Sequence, residues 1–337
     1  MKGKEMAYPN IATHTDSRRP ALRLIRTKDL PRDAWLDVRK TGIGSSDAAA
    51  AVGLSPYKSQ LELWMEKTGR DGVLPKCDPK DESSATYWGN ILEPIVAAHY
   101  TRRTGLRVRR VNAVLQHPNL TWMLANIDRE VLGSGDVQIL ECKTAGIQGA
   151  RLWREGVPEY VEIQVQHQLA VTGKEAADVA VLLGGQTLEI HRIKRDDTLI
   201  ARLIKLEAHF WQYVERDIPP PADGSESSDQ ALRYLYPTDD GQHLDFSHDT
   251  VLSATFADWI AIRQRIAEAE LLEAKFKQTL QQAMGNASKA TFETGRVTWK
   301  KAKDSIGLDI PRLLQDHPEF KVRYALSKSG SRRFLIA

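Results

Sequence analysis

The sequence predicts an α/β fold, in which a mixed central sheet is flanked by helices and is followed by a mainly helical C-terminal extension. Strand-like and helical segments alternate over residues 25–216, which form the predicted core. An acidic stretch rich in proline and serine, residues 217–249, predicts a linker, and residues 250–337 begin with a long run of helical periodicity. Residues 1–24 are largely polar and aperiodic, so we expect a flexible N-terminal arm.

The helices are predicted from the signals at their ends. Ser45 and Ser46 can cap a first helix, which runs through the alanine-rich stretch 48–51 and stops near Gly53. Further core helices are expected over 60–67, 87–104 and 159–171, each followed closely by a glycine, and over 196–214. In the extension, the periodicity predicts a helix over 251–284 and a short one near 310–315.

The strands are predicted from apolar and β-branched runs between turn signals. Such runs cover residues 108–115, 122–132, 137–144, 178–183 and 188–193, with Pro118 and Gly133-Ser134-Gly135 marking turns. Two short strands are expected in the extension, over 297–299 and 333–336. Strands interspersed with helices in this order favour a layered α/β core.

Charge is unevenly distributed, although the formal net charge is only +3. Basic residues are concentrated in 1–40 and from 289 onward, and residues 102–110 contain five arginines and no acid, whereas 217–249 is acidic. Clustered positive charge suits a phosphate-binding surface, because affinity for DNA comes largely from neutralising phosphates. On charge alone, solvated protein faces explain the same pattern equally well.

Several classes of protein are excluded by what the sequence lacks. It has no run of 18 or more apolar residues, so we expect no membrane span, and no apolar stretch follows Met1, so we expect no secretory signal. Cys77 and Cys142 are too few for a disulfide framework or a cysteine-rich zinc cluster. We therefore expect a protein of a reducing, intracellular compartment.

The chemistry is predicted at a hairpin. Glu141-Cys142-Lys143 lies on an apolar strand, where positions i and i+2 face the same way, so Glu141 and Lys143 share a face and Cys142 points into the core. Asp128 lies on the preceding strand, and an antiparallel hairpin that turns within 133–136 would place it opposite Glu141, with side chains about 5 Å apart. Two such carboxylates repel each other unless a cation joins them, and their oxygens suit Mg²⁺ or Mn²⁺. A lysine beside them can orient the attacking water or stabilise charge on a phosphate.

A bare Glu-x-Lys pattern is a weak signal. Glu273-Ala274-Lys275 also matches, but in a predicted helix, where i and i+2 do not share a face. Asp78-Pro79-Lys80 matches the Asp form in a polar loop. Only the match at 141–143 has the strand, the turn and the upstream aspartate, and its alternative interpretation is a surface ion pair.

A series of short motifs in order resembles a known family. The motifs are Gly42-Ile43-Gly44-Ser45-Ser46-Asp47, Trp88-Gly89, Leu92-Glu93-Pro94, Asn126-Ile127-Asp128, Leu140-Glu141-Cys142-Lys143-Thr144 and Gln164-Val165-Gln166-His167-Gln168. Over about residues 35–214 the sequence resembles the YqaJ-type viral recombinase family. That family is related to bacteriophage lambda exonuclease among the PD-(D/E)xK nucleases, which implies a restriction-endonuclease-like core.

The resemblance also implies roles for individual residues. Asp128 and Glu141 would bind metal together with the backbone carbonyl of Cys142, and Lys143 would be the catalytic lysine. By the same resemblance, Glu93 would help to hold a metal-bound water, and Gln164 would help to orient the site from a neighbouring helix. Arg39 and Ser46 would bind a 5′-phosphate at the DNA end.

The implied activity is a Mg²⁺-dependent deoxyribonuclease, with Mn²⁺ as an alternative and two ions per site. It would digest linear double-stranded DNA 5′ to 3′ and leave 3′ single-stranded tails for homologous recombination by strand annealing. The implied partners are double-stranded DNA ends, a single-strand annealing protein and further copies of the chain in a ring-shaped homo-oligomer, with a trimer favoured.

Alternatives remain open at this point. The fold also serves structure- or site-directed endonucleases, and a catalytically silent DNA-binding protein would keep the same pattern. A Cas4-like enzyme with an iron–sulfur cluster on four cysteines is excluded, because the sequence has two cysteines. Glu93 and Gln164 could be exposed helix residues, and Arg39 and Ser46 could be a helix-end residue and an N-cap.

We interpret His167 as structural. We interpret six tryptophans as core anchors: Trp35, Trp64, Trp88, Trp122, Trp153 and Trp211.

Overall fold

The structure is a computed structural model that describes residues 20–28, 30–75, 78, 80–327 and 330–336. The chain divides into two compact units, Met1–Pro237 and Thr238–Ala337. The first unit begins with strand β1 (Leu22–Arg26), helix α1 (Arg32–Lys40), a 3₁₀ turn (Ser45–Asp47), and helices α2 (Ala48–Ala51), α3 (Gln60–Lys67) and α4 (Ala85–Thr104). It continues with β2 (Arg107–Arg110), β3 (Ala113–Gln116), β4 (Leu124–Ala125), β5 (Arg129–Leu132), β6 (Ile139–Ala145), α5 (Glu159–Thr172), β7 (Ala176–Leu183), β8 (Thr187–Lys194), α6 (Asp197–Glu215) and α7 (Glu226–Leu235).

The central sheet has the strand order β2-β5-β6-β7-β8. Neighbouring strands in this sheet are antiparallel, except that β6 and β7 run parallel and are connected through α5. Helices cover both faces, because successive strand residues point to opposite sides. Ile139 and Val179 pack with Leu169 of α5, whereas Leu140 packs with Tyr100 of α4. The predicted α/β class, with a mixed sheet flanked by helices, is confirmed.

Two predicted strands are each divided between two sheets. The predicted strand 108–115 breaks into β2 and β3, and 122–132 breaks into β4 and β5. The second sheet has the order β1-β3-β4. At the second break the carbonyl of Asn126 accepts hydrogen bonds from Ser45 Oγ (3.3 Å) and Gln168 Nε2 (3.2 Å) instead of extending a strand ladder. These contacts come from distant segments, so local alternation could not reveal where the strands end.

The predicted helix ends agree with the structure to within a few residues. Helix α3 has the predicted bounds, with Ser59 Oγ accepting the N–H of Glu62 at 3.1 Å. Helix α4 ends before Gly105, whose φ of 74° is the left-handed conformation that favours glycine. The capping prediction is wrong for Ser45 and Ser46, because neither side chain caps the 3₁₀ turn or α2.

The segments predicted as arm and linker contain regular structure. Residues 1–19 of the predicted arm, 1–24, lie outside the described residues, but β1 begins at Leu22. Within the predicted linker, 217–249, helix α7 packs on α3, where Ala231 is buried and Ser227 Oγ donates to Ser59 Oγ at 3.0 Å. The acidic, serine-rich composition concealed this helix, because its buried face consists of a few small and aliphatic residues.

The second unit contains helix α8 (Thr250–Met284), a hairpin of β9 (Lys289–Phe292) and β10 (Gly295–Thr298), and helices α9 (Ile310–Asp316) and α10 (Glu319–Arg323). The helices predicted over 251–284 and near 310–315 are confirmed, and the strand predicted over 297–299 overlaps β10. The strand predicted over 333–336 is wrong, since no ladder includes those residues. No helix in the described part of the chain has the length and apolarity to span a bilayer.

Candidate active site

The hairpin of β5 and β6 brings Asp128 to Glu141. The strands pair Arg129 with Leu140 and Glu130 with Ile139, so one further step of the same register places Asp128 opposite Glu141. Asp128 itself lies just before β5 rather than within it. Its Oδ2 accepts the backbone N–H of Cys142 at 2.8 Å. The carboxylate of Asp128 therefore takes the place of a ladder partner for β6.

Glu141 and Lys143 share one face of β6, as their spacing predicted. Lys143 Nζ lies 2.9 Å from Glu141 Oε1. The Glu141 side chain is only 4% exposed, whereas that of Lys143 is 26% exposed. The carboxylate is thus held in the protein interior, and the ammonium group is partly exposed to solvent.

Helix α5 supplies two glutamines to the same carboxylate. Gln164 Nε2 donates to Glu141 Oε1 at 2.6 Å, and Gln164 Oε1 accepts from Lys143 Nζ at 2.8 Å. Gln168 Nε2 donates to Glu141 Oε2 at 2.7 Å. Residues four apart on a helix share a face, so one turn of α5 holds both oxygens. Sequence reasoning assigned no role to Gln168, although its i+4 spacing from Gln164 was the available signal.

The two carboxylates favour a cation between them. Burial, and then the neighbouring charge of Glu141, raises the pKa of Asp128 to about 8. Burial opposes the charged form of Lys143, but the ion pair with Glu141 outweighs it and raises the pKa of Lys143. A divalent cation would relieve the repulsion that holds a proton on Asp128.

The donor set at the hairpin fits Mg²⁺. The described residues contain no group of three His, Cys, Asp or Glu side chains that could hold a metal ion by themselves. Mg²⁺, however, is usually held by one or two carboxylates and completes its shell with water and substrate phosphates. A strand residue directs its N–H and C=O toward the same neighbour, so the Cys142 carbonyl faces the gap that Asp128 occupies. The Cys142 thiol is free, with a pKa raised by burial, and Cys77 lies outside the described residues.

Glu93 reaches the site through an arginine. It forms an ion pair with Arg129 Nη1, which also donates to the backbone carbonyl of Asp128 at 2.8 Å. The Arg129 side chain is 9% exposed and that of Glu93 is 20% exposed. Glu93 and Gln164 are therefore not the exposed helix residues of the alternative interpretation, and Arg129 is a member of the site that sequence reasoning missed.

Arg39 and Ser46 are in contact beside a buried ion pair. Arg39 Nη2 donates to Ser46 Oγ and to Asp47 Oδ1, each at 2.8 Å. Asp47 Oδ2 accepts from Lys67 Nζ at 2.7 Å, and the side chains of both residues are under 5% exposed. Burial opposes the charged form of Asp47, but Arg39 and Lys67 together hold the pKa of Asp47 well below its usual range. Sequence reasoning missed the parts played by Asp47 and Lys67.

This segment is fixed to the strand that leads to Asp128. The N–H of Ile43 donates to Trp122 O at 2.7 Å, and the N–H of Leu124 donates to Ile43 O at 2.9 Å. A Cβ at Gly42 would lie 2.5 Å from the carbonyl oxygen of Trp122, so the close approach requires glycine. The cluster of Arg39 and Ser46 is thus held beside the β4–β5 break rather than on an independent loop.

Two further interpretations can be compared with the structure. His167 is fully buried, with Nδ1 2.7 Å from Glu207 Oε1 and Nε2 2.9 Å from Leu124 O, which agrees with a structural role. Trp64 and Trp153 are core residues. The core interpretation is wrong for Trp88, which is 48% exposed, because it lies on the solvent side of the first turn of α4.

Comparison with known proteins shows the family of this chain. A family model described as the YqaJ-like viral recombinase domain matches residues 34–175. The uncharacterized protein YqaJ of Bacillus subtilis (strain 168) is 33% identical over 301 residues, which cover 88% of this chain and 91% of that protein. The chain belongs to the YqaJ-like viral recombinase family. The YqaJ-like match includes every site residue described above from Arg39 to Gln168.

Two solved structures each resemble about half of the chain. An alkaline exonuclease from Laribacter hongkongensis is 24% identical, with a TM-score of 0.46, and the similarity covers 55% of this chain and 93% of that one. A phage related exonuclease from Haemophilus somnus 129PT is 13% identical, with a TM-score of 0.37, covering 52% of this chain and 94% of that one.

Proposed function

We propose that this YqaJ-family protein is a Mg²⁺-dependent exonuclease that digests linear double-stranded DNA 5′ to 3′ and leaves 3′ single-stranded tails for recombination by strand annealing. The observation that supports the proposal is the position of Asp128, bonded to the Cys142 N–H, beside the hydrogen-bonded group of Glu141, Lys143 and Gln164. A buried glutamate and a half-buried aspartate beside a partly exposed lysine are suited to phosphodiester hydrolysis.

The residues divide the work by position. Asp128, Glu141 and the Cys142 carbonyl would hold Mg²⁺ or Mn²⁺, two ions per site, and the ions would polarise the scissile phosphate and lower the pKa of a bound water. Lys143 is more exposed than Glu141 and would face the phosphate, where its charge would stabilise the transition state. Gln164 orients Lys143 and Glu141 together, since it contacts both. Glu93 would act on the metal-bound water from its position beside Arg129.

Recognition of the DNA end is assigned to Arg39 and Ser46. Arg39 and Lys67 share the single carboxylate of Asp47, so the cluster retains one unbalanced positive charge. The Ser46 hydroxyl is exposed beside it. A terminal phosphate carries more charge than an internal phosphodiester, so this cluster favours a 5′-phosphorylated end. The contact with Asp47 fixes the orientation of the Arg39 guanidinium.

The assembly belongs to the same proposal. A 5′ to 3′ enzyme of this kind would act on double-stranded DNA ends in the cytoplasm and transfer the tail to a single-strand annealing protein. A ring-shaped homo-oligomer, with a trimer favoured, would retain the DNA between successive cuts. Light scattering coupled to gel filtration would determine the oligomeric state, and a monomer at working concentration would contradict the ring.

One assay tests the central claim. The full chain is incubated with a 5′-phosphorylated linear duplex, a nicked circle and a closed circle, each with Mg²⁺ and with EDTA. We expect digestion of the linear duplex with Mg²⁺ alone and survival of the closed circle. Cleavage of closed circles would favour the endonuclease alternative, and binding without cleavage would favour a silent DNA-binding protein.

A further inference from the structure

An arginine-lined cavity lies beside the hairpin, outside the cluster described above. It has a volume of about 390 Å³ and is lined by Arg23, Arg26, Arg109, Arg110, Val111, Asn112 and Ala113. No carboxylate is among the described residues of the lining. Four guanidinium groups around one cavity repel each other unless an anion joins them.

The cavity depends on an irregularity in β1. Arg23 and Arg26 are three residues apart, so a regular strand would direct them to opposite faces. The register shifts between Arg23 and Ile25, so that Arg23 pairs with Leu115 and Arg26 pairs with Ala113. Directly paired residues point to the same side, and Leu115 and Ala113 are two apart on β3. The irregularity therefore brings both arginines to one side, which is a recognised effect of a β-bulge.

Three of the four arginines are available to a ligand. Arg109, whose side chain is 61% exposed, forms an ion pair with Glu130. Arg23, Arg26 and Arg110 are exposed and make no side-chain hydrogen bond or ion pair with any residue that the structure describes. Arginine presents a planar fork that matches phosphate oxygens, so these groups suit a phosphate-bearing ligand.

The position of the cavity indicates which phosphates it takes. Arg110 lies directly opposite Arg129 in the β2–β5 pair, and Arg129 follows Asp128 and contacts its carbonyl. The cavity is therefore about one or two strand spacings, roughly 10 Å, from the candidate metal position. DNA advances about 3.4 Å per nucleotide along a strand, so roughly three nucleotides span that distance.

We infer that the arginine cavity binds the DNA phosphate backbone a few nucleotides from the scissile phosphate. The identity of the ligand rests on the proposed function. The contact at the cavity would hold the DNA strand in register with the hairpin. An acidic segment of a partner protein is the competing occupant. The cavity disfavours it, because among the described lining residues only Val111 and Ala113 have apolar side chains, and they offer no anchor for a protein interface.

The test measures binding apart from cleavage. Arg23, Arg26 and Arg110 are replaced together by alanine in the full chain, and fluorescence anisotropy with a labelled duplex is followed over a salt series in EDTA. Arg107→Ala is the matched control, because Arg107 is an exposed arginine of β2 that does not line the cavity. A triple Arg→Lys variant keeps the charges without the planar forks.

We expect the alanine variant to bind duplex roughly tenfold to a hundredfold more weakly, with a salt slope shallower by about 2 to 3, because each lost phosphate contact removes about one unit. The control should change little and the lysine variant should retain most of the slope. If the alanine variant binds both duplex and single-stranded DNA more weakly, the contact is assigned to the scissile strand. If it binds only duplex more weakly, the contact is assigned to the complementary strand.

Three results distinguish failure of the inference from failure of the proposed function. An unchanged slope with intact Mg²⁺-dependent digestion overturns the inference alone. A shallower salt slope in the alanine variant, together with no digestion of DNA by the wild type, supports the cavity and overturns the nuclease. Unchanged DNA binding with loss of binding to a poly-glutamate peptide replaces the nucleic acid with an acidic protein partner.

Discussion

Gln168 and Gln164 hold the two oxygens of one buried carboxylate, since Gln168 donates to Glu141 Oε2 at 2.7 Å and Gln164 donates to Oε1 at 2.6 Å. Glu141 is thereby fixed in rotation as well as in position. Oε1 also lies 2.9 Å from Lys143 Nζ, whereas Oε2 accepts only from Gln168 among the described residues and keeps a lone pair for a metal ion. The pair of glutamines therefore orients the carboxylate without blocking it.

Gln168→Leu should weaken the metal site while the protein stays folded. Removing an outer hydrogen bond to a metal ligand typically lowers metal affinity or activity by about 10- to 100-fold. We expect the Mg²⁺ concentration for half-maximal digestion to rise by that order, whereas Gln186→Ala, at an exposed turn, leaves it unchanged. A lower rate at unchanged Mg²⁺ dependence would contradict a role of Gln168 in metal affinity.

Lys143→Ala and Glu141→Ala should each abolish hydrolysis and leave duplex binding largely intact. Both residues contact the reacting groups in the proposed function, and neither belongs to an apolar cluster. Digestion is measured beside thermal melting, with Lys205→Ala on the exposed face of α6 as control. Digestion near the wild-type rate by either variant would end the nuclease assignment.

Arg39→Ala should slow digestion of 5′-phosphorylated duplex far more than digestion of 5′-hydroxyl duplex. Loss of one charge-assisted contact of about 2 kcal/mol predicts roughly a thirtyfold effect. Arg32→Ala, at the exposed start of the same helix, is the matched control. Equal treatment of both end types by the wild type would contradict recognition of the 5′-phosphate.

Asp47→Asn should destabilise the fold, because it leaves Lys67 buried without a counter-charge. Breaking a buried ion pair by removing one partner costs about 3–5 kcal/mol. Replacing Lys67 by methionine as well should recover part of that loss, since the one charge left without its partner is then that of Arg39, whose side chain is 24% exposed. Chemical denaturation of the two variants measures both changes, and a single variant as stable as wild type would disprove the buried pair.

The metal-free protein should lose stability as pH rises. The pKa of Asp128 is about 8 in the folded protein against an ordinary value of 3.8, so the folded state retains a proton that the unfolded chain has lost. This contribution is fully present below about pH 4 and is lost as pH rises through about 8. Mg²⁺ should therefore raise the melting temperature more at pH 9 than at pH 6, because it binds the ionised carboxylate. Asp128→Asn should remove the trend; persistence of the trend in that variant would assign it elsewhere.

The sequence by itself determined the α/β class, most helix ends and the hairpin that brings Asp128 to Glu141 and Lys143. These rest on local periodicities and on glycines such as Gly105 and Gly173, which end helices whatever the surroundings. The facing of Glu141 and Lys143 follows from the period of a strand, and the register with Asp128 follows from the length of the turn.

Only the tertiary structure decided the contacts between distant segments. The break at Asn126, the ion pair of Asp47 with Lys67 and the link from Glu93 to Arg129 all join elements far apart in sequence. Side chains of these types are ordinary surface residues until packing removes water from them, and burial is what turns each into a fixed partner. The arginine cavity has the same origin, because residues 23 and 26 meet residues 109 and 110 only where two sheets lie side by side.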